Sequence, residues 1–454
     1  MRASALKYTI LSVLATVTMV IMVLIPFHAF LTVWGSSLVG HYTALRLWKE
    51  LLLIVSVLGV GYLLLFDTKI RTHTLSRRLV WLIIGYIGIN IVWGLVAYHQ
   101  HGVSLKALGY AWIINLRYLI FFMVTWTIAL RSSRLHARWQ SLVLWPAAIV
   151  IGFSLLQIFV LPYDFLRHFG YDLNTTIAPF ETVNHNLHYI RVMSTLRGAN
   201  PFGAYLLIPI SVLAVLMVRG QRRWQEIGLM IGAVISLYFT YSRSAWLGAV
   251  LTIGVILVLS LRSRIAKQRA IAIVGVGFIL LTVLAVGFQN NSHVENVLFH
   301  TQANSAIKTT SDQGHARALR SGIQDLLAHP LGSGPGSAGP ASVYNNHQVR
   351  IAENYYVQIG QELGWIGLGF FLLINVAVGY LLWLGRSNRL ALSLFASLIG
   401  LTLINCLSHA WADDTLAYLW WGLAGIAMVE ANGQGPKFIA KARKVKPGLS
   451  KSKS

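Results

Sequence analysis

The sequence predicts an all-α integral membrane protein of about 12 transmembrane helices, and three observations predict it. The 454 residues are 56% apolar, with a mean hydropathy of +0.63, and only 11% are charged, against roughly 25% in a soluble domain. Apolar runs recur at about the 20 helical residues that cross a hydrocarbon layer of ~30 Å. The 37 Lys and Arg outnumber the 14 Asp and Glu, for a net charge of +23, and they are shared unevenly between alternate connections. A single cysteine, Cys406, excludes an intrachain disulfide and a cysteine-based metal centre. This composition rules out a soluble globular enzyme, a disulfide scaffold and a disordered tail protein.

Twelve stretches fit the spanning template: 8–32, 47–66, 79–98, 107–130, 141–161, 201–218, 227–241, 245–261, 270–288, 364–384, 390–408 and 415–430. The seventh, eighth and last are short, a length that also suits helices buried in protein or crossing only partly. The first has no small-residue cleavage site behind a brief apolar core, so it reads as an uncleaved span. Positive charge sets the orientation. Alternate connections carry Lys69/Arg71/Arg77/Arg78, Arg131/Arg134/Arg138, Arg219/Arg222/Arg223, Arg262/Arg264/Lys267/Arg269 and Arg386/Arg389. With Arg2, Lys7 and the seven basic residues after Asn432, 25 of the 37 lie on one side, beside only Asp67, Glu226 and Glu430. That side is expected to be cytoplasmic and to hold both termini. The Lys-rich tail then reads as a solvated segment facing lipid headgroups, and no nucleic-acid partner is expected.

Two long connections, 162–200 and 289–363, fall on the other side. The second, of about 75 residues, is too long for a passive turn, and long ordered loops tend to carry function. Short helices are expected within it, one over 314–328, where Leu319, Ile323, Leu326 and Leu327 recur at helical spacing. The run HPLGSGPGSAGP at 329–340 lacks the G-x-x-x-x-G-K-[ST] pattern of a nucleotide cradle. It reads as a turn that lets backbone approach something closely. The organisation is thus 1–288, the first nine helices; 289–363, the large loop; 364–430, the last three helices; and 431–454, the basic tail.

The outer connections also collect the residues suited to chemistry at a membrane surface. Arg191 and Arg197 precede NPFGAY at 200–205, where the chain re-enters the bilayer, and Arg243 sits in TYSRSAWLG at 240–248, a polar break between two short stretches. Arginine suits a diphosphate because its planar fork donates two parallel hydrogen bonds and stays charged. Each has a plainer alternative: Arg243 as a helix-end or snorkelling residue, and Arg191 and Arg197 as loop solvation. Arg117 lies mid-span in YAWIINLRYLIFF, where a charge is costly, so it marks either a structural ion pair or a ligand contact. His315, Arg317, Arg320, His329, His347, Arg350 and Glu353 fall in the large loop. The histidines have no H-E-x-x-H or H-x₃-H spacing, so no metal is expected. Asp413 and Asp414, the only acidic doublet, read as a solvated outer turn. Glu353 in RIAENYYVQIGQELGWIG precedes an apolar helix. It suits either a base that takes a proton from a hydroxyl or a first-turn acid favoured by the helix dipole.

Three segments taken together resemble the O-antigen ligase/polymerase superfamily of bacterial envelope glycosyltransferases. They are RVMSTLRGANPFGAYL at 191–206, TYSRSAWLG at 240–248, and HARALRSGIQDLLAHPLGSGPGSAG running on to AENYYVQIGQELGWIG at 352–367. They keep the expected order, with a large outer loop between the last two. The resemblance implies a GT-C-like fold in the bacterial inner membrane, an undecaprenyl-diphosphate-linked glycan as donor and, in the ligases, a lipid A–core sugar hydroxyl as acceptor. Transfer would be periplasmic, inverting and free of metal or other cofactor. It further implies that arginines hold the diphosphate, which here carries over to Arg191 and Arg243, with Arg317 and His315 assisting. Ligases of this group often show H-N-x₉-G-x-x-G. Here the run is Glu353-Asn354, nine residues, Gly364, two residues, Gly367, so glutamate stands in the histidine position and His347 is an alternative base. Asn354, Tyr355, Arg197 and Arg117 are expected as acceptor contacts or support. A polymerase, a protein-glycosylating ligase and, in another class, a lipid or solute transporter compete with this reading. A transporter predicts inverted repeats and matched broken helices, and the sequence has neither.

Overall fold

The computed structural model describes residues 2–100, 102–184, 186–220, 223–261, 263, 265, 268, 311–346 and 349–431. The expected stretch at 270–288, the basic tail beyond Ala431, and His347 lie outside the described residues. The long helices are α1 (Arg2–Leu24), α2 (His28–Val39), α4 (Trp48–Phe66), α6 (Arg78–Gln100), α7 (Leu105–Ala129), α8 (Ser133–Phe159), α9 (Ala199–Arg219), α10 (Trp224–Phe239), α11 (Arg243–Ser260), α12 (Ser311–Ala328), α13 (Tyr355–Leu384), α14 (Arg389–Leu407) and α15 (Asp414–Ala431). Short α3 (Tyr42–Arg46) and α5 (Thr68–Leu75) join their neighbours. Among the described residues nine helical segments are long and apolar enough to cross a membrane, while α10 and α15 are apolar but shorter.

Helices α1 and α2 form one segment, Ala5–Val39, that continues past the expected end at 32. A 3-10 turn at Ile25–Phe27 joins them, because Pro26 lacks the amide that an uninterrupted α-helix would use.

Burial sorts the helices into an inner and an outer set. The apolar windows of α9 and α7 are 83% and 67% buried, against 28% for α4 and α11. On α4, Leu51, Ile54, Leu58 and Leu65 face outward, as a lipid-facing surface requires. The inner seam is aromatic: Phe121 and Phe122 of α7 pack on Tyr418 and Trp421 of α15. Helices α11 and α14 touch backbone to backbone, since a Cβ on Gly248 would stand 3.0 Å from the Gly400 carbonyl oxygen. Small residues at the crossing permit that approach.

Two features depart from an all-helical chain. Residues 181–191 form an antiparallel hairpin of β1 (Glu181–Val183) and β2 (Asn186–Arg191), which sets Glu181 opposite Arg191. Helix α13 is broken at Gly364, whose φ of 64° is left-handed. The Gly-rich run packs into this break: Ser333 and Gly334 donate backbone amides to the carbonyls of Gln361 and Glu362, and Trp365 donates to Pro330. The broken helix thereby keeps its backbone groups paired, which an apolar surround demands. The close backbone approach expected of this turn is what the structure shows, for a Cβ on Gly334 would collide with Ala97.

Candidate active site

Arg191, the last residue of β2, anchors the hairpin to the polar break between α10 and α11. Its Nε donates to the Thr240 carbonyl at 2.9 Å, Nη1 lies 3.4 Å from Glu181, and Nη2 donates to Asn200 Oδ1. The Val192 amide adds a bond to the Phe239 carbonyl at 2.9 Å. Burial and the nearby positive charge of Arg243 lower the Arg191 pKa, against the pull of Glu181. Arg243 is therefore near enough to act electrostatically on Arg191. Arg243 opens α11 directly after Ser242 and Tyr241, the latter in a left-handed conformation with φ of 49°. Ser194 and Glu353 adopt the same rare conformation, with φ of 52° at each. Strain of this kind gathers at functional sites, and here it falls within each of the three segments singled out in the sequence.

Arg197 extends from the same connection to Asp413, with Nε 2.9 Å from Oδ2. Asp413 is buried and also accepts the Leu416 amide, which caps α15. The acidic doublet is therefore not the solvated turn expected of it. Asp414 is buried as well, and it pairs with Arg117, with Lys49 at 2.9 Å and with His28 at 3.2 Å. Arg117 also approaches Glu50 at 3.6 Å and donates to the Ala412 carbonyl at 2.9 Å. Of its two alternatives the structure displays the structural one: the Arg117 charge is spent within protein, on a network that holds the 410–414 turn.

Glu353 ends the large loop, and its carboxylate contacts His315 Nδ1 on α12. Asn354 caps α13, accepting the Val357 amide at 3.0 Å and donating to the Cys406 carbonyl at 2.8 Å. Tyr355 is buried, with its hydroxyl 3.1 Å from that of Tyr118 on α7. Arg317 is exposed two residues beyond His315, a step of about 200° around a helix that turns the two side chains apart. Asp325 fastens α12 to its surroundings, 3.2 Å from Arg350 Nη1 and accepting from Gln361 Nε2 at 2.8 Å. Buried Glu362 receives the Gly336 amide at 2.8 Å and Asn115 Nδ2 at 2.7 Å, which pins the Gly-rich turn.

Sequence reasoning missed His409. It lies between α14 and α15, where the Ser408 carbonyl accepts the Tyr355 amide at 3.1 Å. Its Nδ1 is buried without a partner. Burial, with Arg197 and His315 nearby, lowers its pKa to about 4, so the ring is neutral at physiological pH. Through it the Arg197 region and the His315–Glu353 pair become neighbours. Lys49 and Glu50 were missed too, although a charged pair inside the apolar stretch 47–66 is itself a signal of a buried partner.

Residues 228–372, roughly a third of the chain, match the family model described as O-antigen ligase. That segment is similar to the O-antigen ligase family. It contains Arg243, His315, Arg317 and Glu353, while Arg191 and Arg197 precede it and His409 and Asp413 follow it. Taken together, the described residues show an almost wholly helical chain with nine segments long and apolar enough to cross a membrane. Comparison with curated proteins finds no match.

Proposed function

We propose that this protein transfers a glycan from undecaprenyl diphosphate to a sugar hydroxyl of lipid A–core on the periplasmic face of the bacterial inner membrane. The carrying observation is Arg191, held by Thr240, Asn200 and Glu181 and close enough to Arg243 to feel its charge, together with the carboxylate–imidazole contact of Glu353 and His315. Arg191 and Arg243 hold the donor diphosphate and neutralise charge as it develops on the leaving group, where much of the barrier is lowered. Arg317, exposed on α12, assists at the outer phosphate or sugar.

Glu353 takes the proton of the acceptor hydroxyl, with His315 orienting the carboxylate. The hydroxyl oxygen attacks the anomeric carbon as the bond to the diphosphate breaks, so configuration inverts in one displacement without a covalent enzyme intermediate. No metal or other cofactor enters this scheme. Both termini and the basic tail, 431–454, lie in the cytoplasm. The loop at 289–363 is the catalytic loop, between the first nine helices and the last three.

The test supplies undecaprenyl-diphosphate glycan to the purified protein, with and without lipid A–core, in the presence of EDTA. A product ladder that needs lipid A–core is the expected result. Glycan that lengthens on the prenyl carrier alone would make the protein a polymerase. Normal transfer by Glu353→Gln would remove Glu353 as the base and return that role to His347.

A further inference from the structure

Beyond Arg197 the surface opens into two adjoining cavities. The inner one, of about 380 Å³, is bounded by Arg46, Glu181, Arg197 and Asp413. The outer one, of about 790 Å³, is bounded by Ser36, Ser37, His41, Arg167, Asp172 and Thr175. Tyr42 and Thr176 line both, so the two form one cleft. Each volume falls in the range of ligand sites, about 300–1,000 Å³.

The lining has a definite chemistry. Six serine and threonine hydroxyls, three guanidinium groups, four carboxylates and two tyrosine rings are interspersed. A lipid tail would leave these polar groups unpaired, and an anion would meet more carboxylates than arginines. A saccharide satisfies them, because each sugar hydroxyl both donates and accepts and each ring has an apolar face for an aromatic side chain.

The walls are built in advance. Gly170, at φ of 83°, lies against Ser37 so closely that a Cβ there would collide with it. Tyr171 is buried with Val33, Leu166 and Met193. Thr176 Oγ1 donates to the Gly170 carbonyl at 2.8 Å and accepts the Asp172 amide at 3.0 Å. The Asn174 and Thr175 amides and the Thr175 hydroxyl all fall on Oδ1 of Asp172. His41 is held left-handed at φ of 59°, the kind of strain found at ligand clamps.

The inner end of the cleft fixes which saccharide it takes. Glu181 bounds the cleft and also lies 3.4 Å from Arg191, so the cleft begins where the diphosphate site ends. We infer that the cleft binds the glycan of the donor, receiving the sugars that follow the diphosphate in sequence from Glu181 and Arg197 outward to Asp172. This inference rests on the transferase reading for its direction, and on the cleft alone for its saccharide chemistry.

Two measurements separate these. Saturation-transfer NMR uses the O-polysaccharide released by mild acid from the host's own lipopolysaccharide, without lipid or diphosphate. Transfer of magnetisation to its ring protons is expected with the wild type and should be weakened by Asp172→Ala combined with Tyr42→Ala. Its absence in the wild type would overturn the cleft as a saccharide site whatever the enzyme does. The second measurement is steady-state transfer by Asp172→Ala with donors of one sugar and of several repeat units. The KM for the long donor should rise about tenfold, the loss of one or two polar pairs, with kcat and the KM of the short donor unchanged. A rise in the acceptor KM instead would overturn the donor assignment, and unchanged KM values for both substrates would overturn the cleft.

Discussion

The Nε of Arg197 lies 2.9 Å from the carboxylate of Asp413, an arginine that is 40% exposed tied to an acid that is almost wholly buried. The pair joins the solvent-facing cleft to the turn that starts α15. Asp413→Asn keeps an acceptor for the Leu416 amide, since asparagine caps helices as well as aspartate does, and removes only the charge. Transfer is expected to fall about tenfold with little change in melting temperature, as Arg197 loses its fixed direction. Asp413→Ala should cost about 1 kcal/mol more in stability through the lost cap. Strictly additive rates for Asp413→Asn and Arg197→Gln in a double-mutant cycle would show that the two do not act together.

Arg191 and Arg243 are expected to share the diphosphate role, and Arg191 also holds the hairpin. Arg243→Ala is expected to lower kcat at least 100-fold, the scale of losing one charge-stabilising group, in a protein that still inserts and elutes as a single species. Arg191→Ala should match that loss and also loosen the hairpin, because Arg191 bonds Thr240, Asn200 and Glu181. Limited proteolysis between 180 and 191 would register the second effect. Wild-type turnover by Arg243→Ala would remove the diphosphate role from that residue.

Arg117 carries a different expectation. Its removal as Arg117→Leu leaves Asp414 and Glu50 underpaired inside the bundle, and breaking a buried ion pair from one side costs about 3–5 kcal/mol. A large fall in melting temperature in detergent is expected, with activity lost in proportion to folded protein. A variant that melts normally but binds donor poorly would make Arg117 a ligand contact instead.

The spans and the Gly-rich turn were legible because each depends on a local property: apolar length for the helices, and glycines packed four deep at 332–339 for the turn. The order of Arg191, Arg243 and Glu353 was legible as a pattern along the chain. The pairing was not. Asp413 and Asp414 look solvated in sequence, since the arginines and lysine that bury them arrive from positions 49, 117 and 197. The hairpin at 181–191 is too short to display a clear alternation, and His409 sits in a connection of a few residues between two spans. Such groups become visible only when tertiary structure supplies their neighbours.

The glycine break at Gly364 offers a test of the loop that carries Glu353. Any side chain there faces a left-handed φ and would collide with the Pro330 carbonyl and Leu331. Gly364→Ala is expected to lower stability by more than about 1–2 kcal/mol, the left-handed cost alone, and to release the 330–334 turn. Gly369→Ala, where an added Cβ meets nothing within 4 Å, should be neutral or stabilising by up to about 1 kcal/mol. Equal melting temperatures for the two variants would mean that the turn does not depend on the break.

His409 sets the last expectation, on pH. The folded protein holds its ring neutral down to about 4, whereas an unfolded chain protonates histidine near 6.5. Between those values the unfolded state binds the extra proton, so stability is fully present above pH 6.5 and is lost as pH falls toward 4. The loss amounts to roughly 3 kcal/mol at 1.36 kcal/mol per unit. Because Nδ1 has no partner to forfeit, His409→Leu should fold, and its melting temperature should decline less steeply between pH 6.5 and 4 than that of the wild type. Identical acid slopes would place His409 in a wetter environment than its burial indicates. A neutral His409 also cannot produce an acid limb in the rate near pH 6.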